Sequence, residues 1–163
     1  MEIETTKINF NFLLPTIIFC IVGLFIPSIT VLILIEIQFL LTHFGFECTK
    51  VWNLMWIISW IGMLASPILF IKYLKKSNPK RTSLRINLML FNFLEYVFIQ
   101  VAFASLLSNE EMLCYGTDGQ NGLEFVFTAW LSLPILFIFS LIYNYIFKSR
   151  QNKFQEFEAK KHI

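Results

Sequence analysis

The sequence predicts an all-α integral membrane protein of four transmembrane helices with both ends in the cytoplasm. Three observations predict it. Of the 163 residues, 56% are hydrophobic and only 15% are charged, against about a quarter charged in an ordinary soluble domain. The apolar residues gather into four runs, at about 10–41, 51–74, 86–107 and 123–147. Each run exceeds the roughly 20 residues a helix needs to cross a hydrocarbon core about 30 Å thick. The charges, finally, lie almost entirely between the runs and on alternate sides of them.

Helices rather than barrel strands follow from the lack of alternation, since lumen-facing strands would place a polar residue at every second position. The spans are expected at about 13–34, 51–72, 86–107 and 124–147. The connections 42–50, 75–85 and 108–122 are too short to hold a folded domain, so residues 1–163 read as a single transmembrane domain. A soluble enzyme, a basic nucleic-acid-binding face, a disordered tail and a disulfide-dense secreted module are all excluded by this composition.

Sidedness comes from Lys and Arg. The second connection and its flanks carry Lys72, Lys75, Lys76, Lys80, Arg81 and Arg85; the C-terminal segment carries Lys148, Arg150, Lys153, Lys160 and Lys161; Lys7 precedes the first run. Only Lys50 lies on the opposite side, beside Glu47, Glu110, Glu111, Asp118 and Glu124. The positive-inside rule places the richly basic side in the cytoplasm. The net charge of +2 thus conceals a strongly basic inner surface, an acidic outer one, and Glu36 and Glu95 within the apolar runs. The start, Met1-Glu2-Ile3-Glu4, is acidic and no small-residue cleavage site follows, so no cleavable signal is expected. No lipidation signature and no internal repeat is found.

The first run is longer than one upright span requires. It reads as a long first helix that crosses at 13–34 and then continues as an amphipathic end, with Glu36, Gln38 and His43 toward water. Strong tilt is the alternative. Pro15 and Pro27 fall inside it, and Pro27 can kink it by deleting an intrahelical hydrogen bond. The fourth run continues into 148–163, which lacks Gly and Pro, so a helical cytoplasmic extension is expected.

Glu95 is the most informative residue. An ionised carboxylate near mid-membrane costs at least about 2.5 kcal/mol, so it must face a bundle interior, a subunit interface or a wet cavity, or else carry a proton. Asn92 and Ala102 share its helical face. One reading is a proton or ion site or a pore lining; the other is an interhelical hydrogen bond that glues the bundle. Glu36, near the outer end of its run, reads as solvated or salt-bridged and completes the intramembrane polar set Glu95, Asn92 and Glu36. Small multidrug transporters also combine four helices with a membrane carboxylate, but the strong charge bias argues against their dual insertion.

Cys20 lies within the first span and reads as a small apolar residue. Cys48 and Cys114 fall in the outer loops, where disulfides persist, and are the candidate bridge between the two hairpins. Trp52, Trp56 and Trp60 make one drifting stripe along the second span, read as lipid contact and packing against the alternative of an aromatic ligand site. Ser59, Gly62 and Ser66 line another face, a small-residue stripe that admits a close neighbour. Pro67 and Pro134 are candidate kinks in spans two and four.

For catalysis the inventory is poor. His43 and His162 are the only histidines, Asp118 is the only Asp, and no metal-ligand cluster or nucleotide-binding glycine loop appears. No enzyme activity, cofactor, metal or direct nucleic-acid contact is expected. The basic residues Lys75, Lys76, Lys80, Arg81 and Arg85 read as a surface for anionic lipid headgroups or for a cytoplasmic protein partner. The buried Glu and the small-residue stripe give reason for self-association as a homo-oligomer.

In size and topology, along the whole chain, this build is similar to small four-span subunits of bacterial phage-defence operons and to membrane-bound toxin-immunity proteins. No motif carries the likeness. It implies a non-enzymatic subunit of the bacterial inner membrane that anchors or senses and acts with a cytoplasmic partner. The competing expectation is an oligomeric ion channel or proton-coupled small transporter using Glu95.

Overall fold

The computed structural model describes residues 10–76, 80–107 and 123–161. Among these it contains five helices and no strand: α1 (Leu13–Phe25), α2 (Ile29–His43), α3 (Cys48–Lys76), α4 (Arg81–Leu107) and α5 (Leu123–Lys161). Helices α3, α4 and α5 are each long and apolar enough to cross a membrane. The pair α1 and α2 meets that test only together, and the two are bent by 73° at the break between them.

The first run is therefore two helices, not the one long helix expected. The Asn11 side chain accepts the Leu13 N–H at 3.0 Å, capping the start of α1, and Pro15 falls in the first turn, where its missing N–H is not needed. Pro27 ends α1. It has no amide to offer the Gly23 carbonyl four residues back, and its ring disfavours helical geometry at Ile26, which sits at φ −126°, ψ 56°. Helix α2 then closes on Gly45 at φ +90°. There the Gly45 N–H bonds the Thr42 carbonyl at 2.9 Å and the Phe46 N–H bonds Leu41 at 3.2 Å. This paired pattern needs a left-handed residue, which glycine adopts without steric cost.

Helix α4 lies at the centre. It packs against each of the other four, and 50% of its apolar window is buried, against 22% for α3. Two clusters organise the bundle. At the end nearest the basic 76–81 connection, Phe12, Phe70, Phe91, Tyr143 and Phe147 interlock, with Phe12 5.4 Å from Phe147 and Phe70 4.7 Å from Tyr143, ring centre to ring centre. At the far end, Leu34, Val51, Trp52, Met55, Val101, Ala104 and Phe125 form the second cluster. The bent pair thus begins at the basic end and finishes at the far end. Its two short helices, about 20 and 22 Å long, together cover the bundle's length.

Outside these clusters every helix presents exposed Leu, Ile and Phe, among them Leu14, Ile61, Leu69, Leu90 and Ile138. Such a coat has no counterpart on a water-facing monomer. The 39 residues of α5 make a helix about 58 Å long, so it overruns any bilayer core by several turns. Where it leaves the bundle, the Arg150 guanidinium donates to the Leu74 carbonyl at 2.5 Å, satisfying one of the last carbonyls of α3.

Candidate functional site: a polar centre inside the bundle

The buried face of α4 carries Asn92, Glu95, Tyr96, Ile99 and Gln100, a spacing that keeps all five on one side of a helix. Four of the five are polar, the densest run of polar side chains on any buried face among the described residues. Asn92, Glu95 and Gln100 have no exposed surface at all.

Glu95 is reached from α3, and Asn92 and Tyr96 both from α1. Ser66 of α3 donates its hydroxyl to Glu95 Oε2. Asn92 Nδ2 donates to Thr16 Oγ1 of α1 at 3.1 Å. The Tyr96 hydroxyl donates to the Gly23 carbonyl at 3.1 Å, the acceptor that Pro27 leaves without an amide. Gln100 turns back on its own helix, donating to the Tyr96 carbonyl at 3.3 Å. Helix α5 contributes Tyr143, whose ring lies 5.1 Å from Phe91, one turn before Glu95, and 4.7 Å from Phe70, one turn after Ser66. Ser140 lies three residues earlier on the same face and is equally buried.

The bonding is incomplete. Asn92 Oδ1, Glu95 Oε1, Gln100 Oε1, Ser140 Oγ and the Tyr143 hydroxyl are buried with no hydrogen-bond partner. A buried polar atom without a partner costs about 1–3 kcal/mol, and such groups are few in folded chains. No salt bridge to Glu95 is found among the described residues, where the Lys50–Glu47 pair at 3.0 Å is solvent-exposed. Nor do those residues hold three His, Cys, Asp or Glu side chains grouped as a metal site.

Of the three residues read as an intramembrane polar set, the structure brings Asn92 and Glu95 together. Glu36 is exposed on α2, whereas Asn92 and Glu95 are buried on α4. Gly62 permits a close approach inside the chain: a Cβ there would stand 2.6 Å from the Phe98 ring of α4, which would have to shift. Gly62 and Ser66 of the small-residue stripe, and Glu95 itself, thus each meet another helix of the same chain. Trp52 packs edge-on against Phe125 at 6.2 Å and Trp60 lies 5.7 Å from Phe103, so these two rings of the stripe pack between helices. Cys20 is a free thiol against the Leu133 carbonyl at 3.7 Å. Cys48 opens α3, and Cys114 lies outside the described residues. Lys75, Lys80, Arg81 and Arg85 are exposed, and Lys76 ends α3.

Sequence reasoning did not single out Thr16, Tyr96, Ser140 or Tyr143. A usable signal existed for one of them: a proline inside an apolar run frees the carbonyl four residues back, and a donor must then be sought on another span. Comparison with protein-family models, with curated proteins and with solved structures finds no match.

Proposed function

We propose that this chain is a non-enzymatic multi-pass membrane subunit, an anchor that holds a helical arm and a basic surface in the cytoplasm for a partner there. In this reading the bent α1–α2 pair is one crossing and α3, α4 and α5 are three more, with both ends inside. The setting is a bacterial inner membrane. The positive-inside rule supports that orientation, and so does the position of Phe12 beside Phe70 and Phe147 at the basic end.

The observation that carries the reading is α5. A single helix of 39 residues overruns the membrane by about a third of its length, and Arg150 ties it to the end of α3 where the overrun begins. A chain serving only lipid contact would gain nothing from such an arm. Lys75, Lys80, Arg81 and Arg85 lie exposed at the same end, where anionic headgroups or an acidic protein face would be drawn to them. A phage-defence or toxin-immunity setting agrees with this build.

The channel reading gains less support. Glu95 is enclosed by helices of its own chain, so a pore formed between protomers would not be lined by it. Truncation after Arg150 tests the anchor reading directly. The truncated chain is expected to insert and remain monodisperse while losing its cytoplasmic partner in affinity purification. Retention of every co-purifying cytoplasmic protein would remove the reading.

A further inference from the structure

Five of the ten buried side-chain atoms that lack a hydrogen-bond partner among the described residues lie in the polar centre. Ser66 satisfies Glu95 Oε2 and leaves Oε1 bare. Thr16 takes the amide nitrogen of Asn92 and leaves Oδ1 bare. These atoms sit one helical turn apart on the same face of α4. Tyr143 presents a hydroxyl without a partner from α5, its ring packed 5.1 Å from Phe91, one turn before Glu95. Ser140 supplies a second such hydroxyl from the same face of that helix. The four residues are each at most 1% exposed.

We propose that this centre binds a single sodium ion, held by Glu95 Oε1 and Asn92 Oδ1 and completed by the hydroxyl oxygens of Tyr143 and Ser140. The donor chemistry is that of a hard, oxygen-preferring cation: a carboxylate, an amide carbonyl and hydroxyls, without sulfur or imidazole. The charge argues for a monovalent one. Glu95 is the sole carboxylate in the centre and no basic side chain pairs with it among the described residues. One positive charge gives a neutral site, whereas a divalent ion would leave an unpaired charge in a low-dielectric interior. Ser66 and Thr16 then act as positioning residues: by occupying the outer atoms of Glu95 and Asn92, they turn the remaining oxygens to the ion. This does not rest on a cytoplasmic partner, and loss of that partner would leave it unaffected.

The test is thermal unfolding of the purified full-length chain in detergent, followed by tryptophan fluorescence. Sodium chloride replaces choline chloride at constant ionic strength, with a potassium chloride arm. Sodium is expected to raise the wild-type Tm by about 5 °C at a hundredfold excess over Kd. Potassium should give less than half of that shift and choline none. Glu95→Gln keeps an acceptor for Ser66 and should lose the sodium increment. Tyr143→Phe keeps the ring against Phe70 and Phe91 and should move the sodium midpoint upward about tenfold, the loss of one ligand oxygen. The proposal is overturned if the wild-type Tm is the same in sodium and choline, the result of a centre that takes only a proton. It is overturned equally if Tyr143→Phe leaves the sodium midpoint where it was.

Discussion

Pro27, Pro67 and Pro134 each sit inside an apolar run and each lacks the amide that would bond the carbonyl four residues back. Pro67 and Pro134 lie within α3 and α5, which continue as single helices for 29 and 39 residues. At Pro27 the chain parts into two helices bent by 73°. The difference lies in the neighbours. Around Pro67, α3 is pressed against α4 by the Gly62–Phe98 contact on one side and Phe70 on the other, so continuity is kept by packing. Around Pro27, the Tyr96 hydroxyl takes over the Gly23 carbonyl, which removes the cost of leaving that bond unmade. A break inside a membrane is tolerated where another helix supplies the missing donor. The proline permits the break; Tyr96 stabilises it.

That comparison can be broken at several points. The largest effect is expected at Gly62. Gly62→Leu forces a side chain into the Phe98 ring and should destabilise the bundle at the upper end of the roughly 1–3 kcal/mol that overpacking costs. Gly62→Ala should show a smaller loss of the same sign in thermal unfolding. A neutral Gly62→Leu would mean that α3 does not owe its continuity to close contact with α4.

Tyr96→Phe comes next. It leaves the Gly23 carbonyl bare and should cost about 1–3 kcal/mol. The sharper form is a double-mutant cycle with Pro27→Ala. Restoring an amide at position 27 gives the Gly23 carbonyl a donor within its own helix, so Tyr96→Phe should then cost about 1 kcal/mol less than in wild type. Additive effects would show that the two sites do not share that carbonyl.

Arg150→Met removes the guanidinium bond to Leu74 while keeping most of the side-chain stem, and about 1 kcal/mol of stability should go with it. The smallest effect is expected at Glu36. Glu36→Gln, on an exposed face of α2, should stay within about 0.5 kcal/mol of wild type. An effect of several kcal/mol there would put Glu36 inside the working structure beside Glu95.

Much of this architecture is legible in the sequence because membrane helices obey length and hydropathy. The runs at 51–74, 86–107 and 123–147 fall within α3, α4 and α5, and the extension of α5 follows from a stretch free of Gly and Pro. Asn92 and Glu95 on one face follow from helical spacing alone. Partnership across helices is not legible in that way. Ser66 and Glu95 are 29 residues apart, and Tyr96 and Gly23 are 73 apart; a single sequence carries no register between spans. A kink at Pro27 is legible, but the full break into two helices is not, for the same reason. Pro27 marks where a helix can break, but the outcome depends on a donor placed by α4. The role of Gly62 was half visible: a small residue invites a close neighbour, and the neighbour proves to be Phe98 of the same chain.

The central claim is that α1 and α2 form one bent crossing from the basic end to the far end, rather than a loop that enters and leaves on one side. Cysteine accessibility tests it most directly, in a chain whose native cysteines are serine. Thr5→Cys, Gly45→Cys and Lys80→Cys are labelled in intact cells with a membrane-impermeant thiol reagent. The account predicts that Gly45→Cys reacts from outside, whereas Thr5→Cys and Lys80→Cys react only after permeabilisation. Labelling of Thr5→Cys and Gly45→Cys from the same side would contradict it.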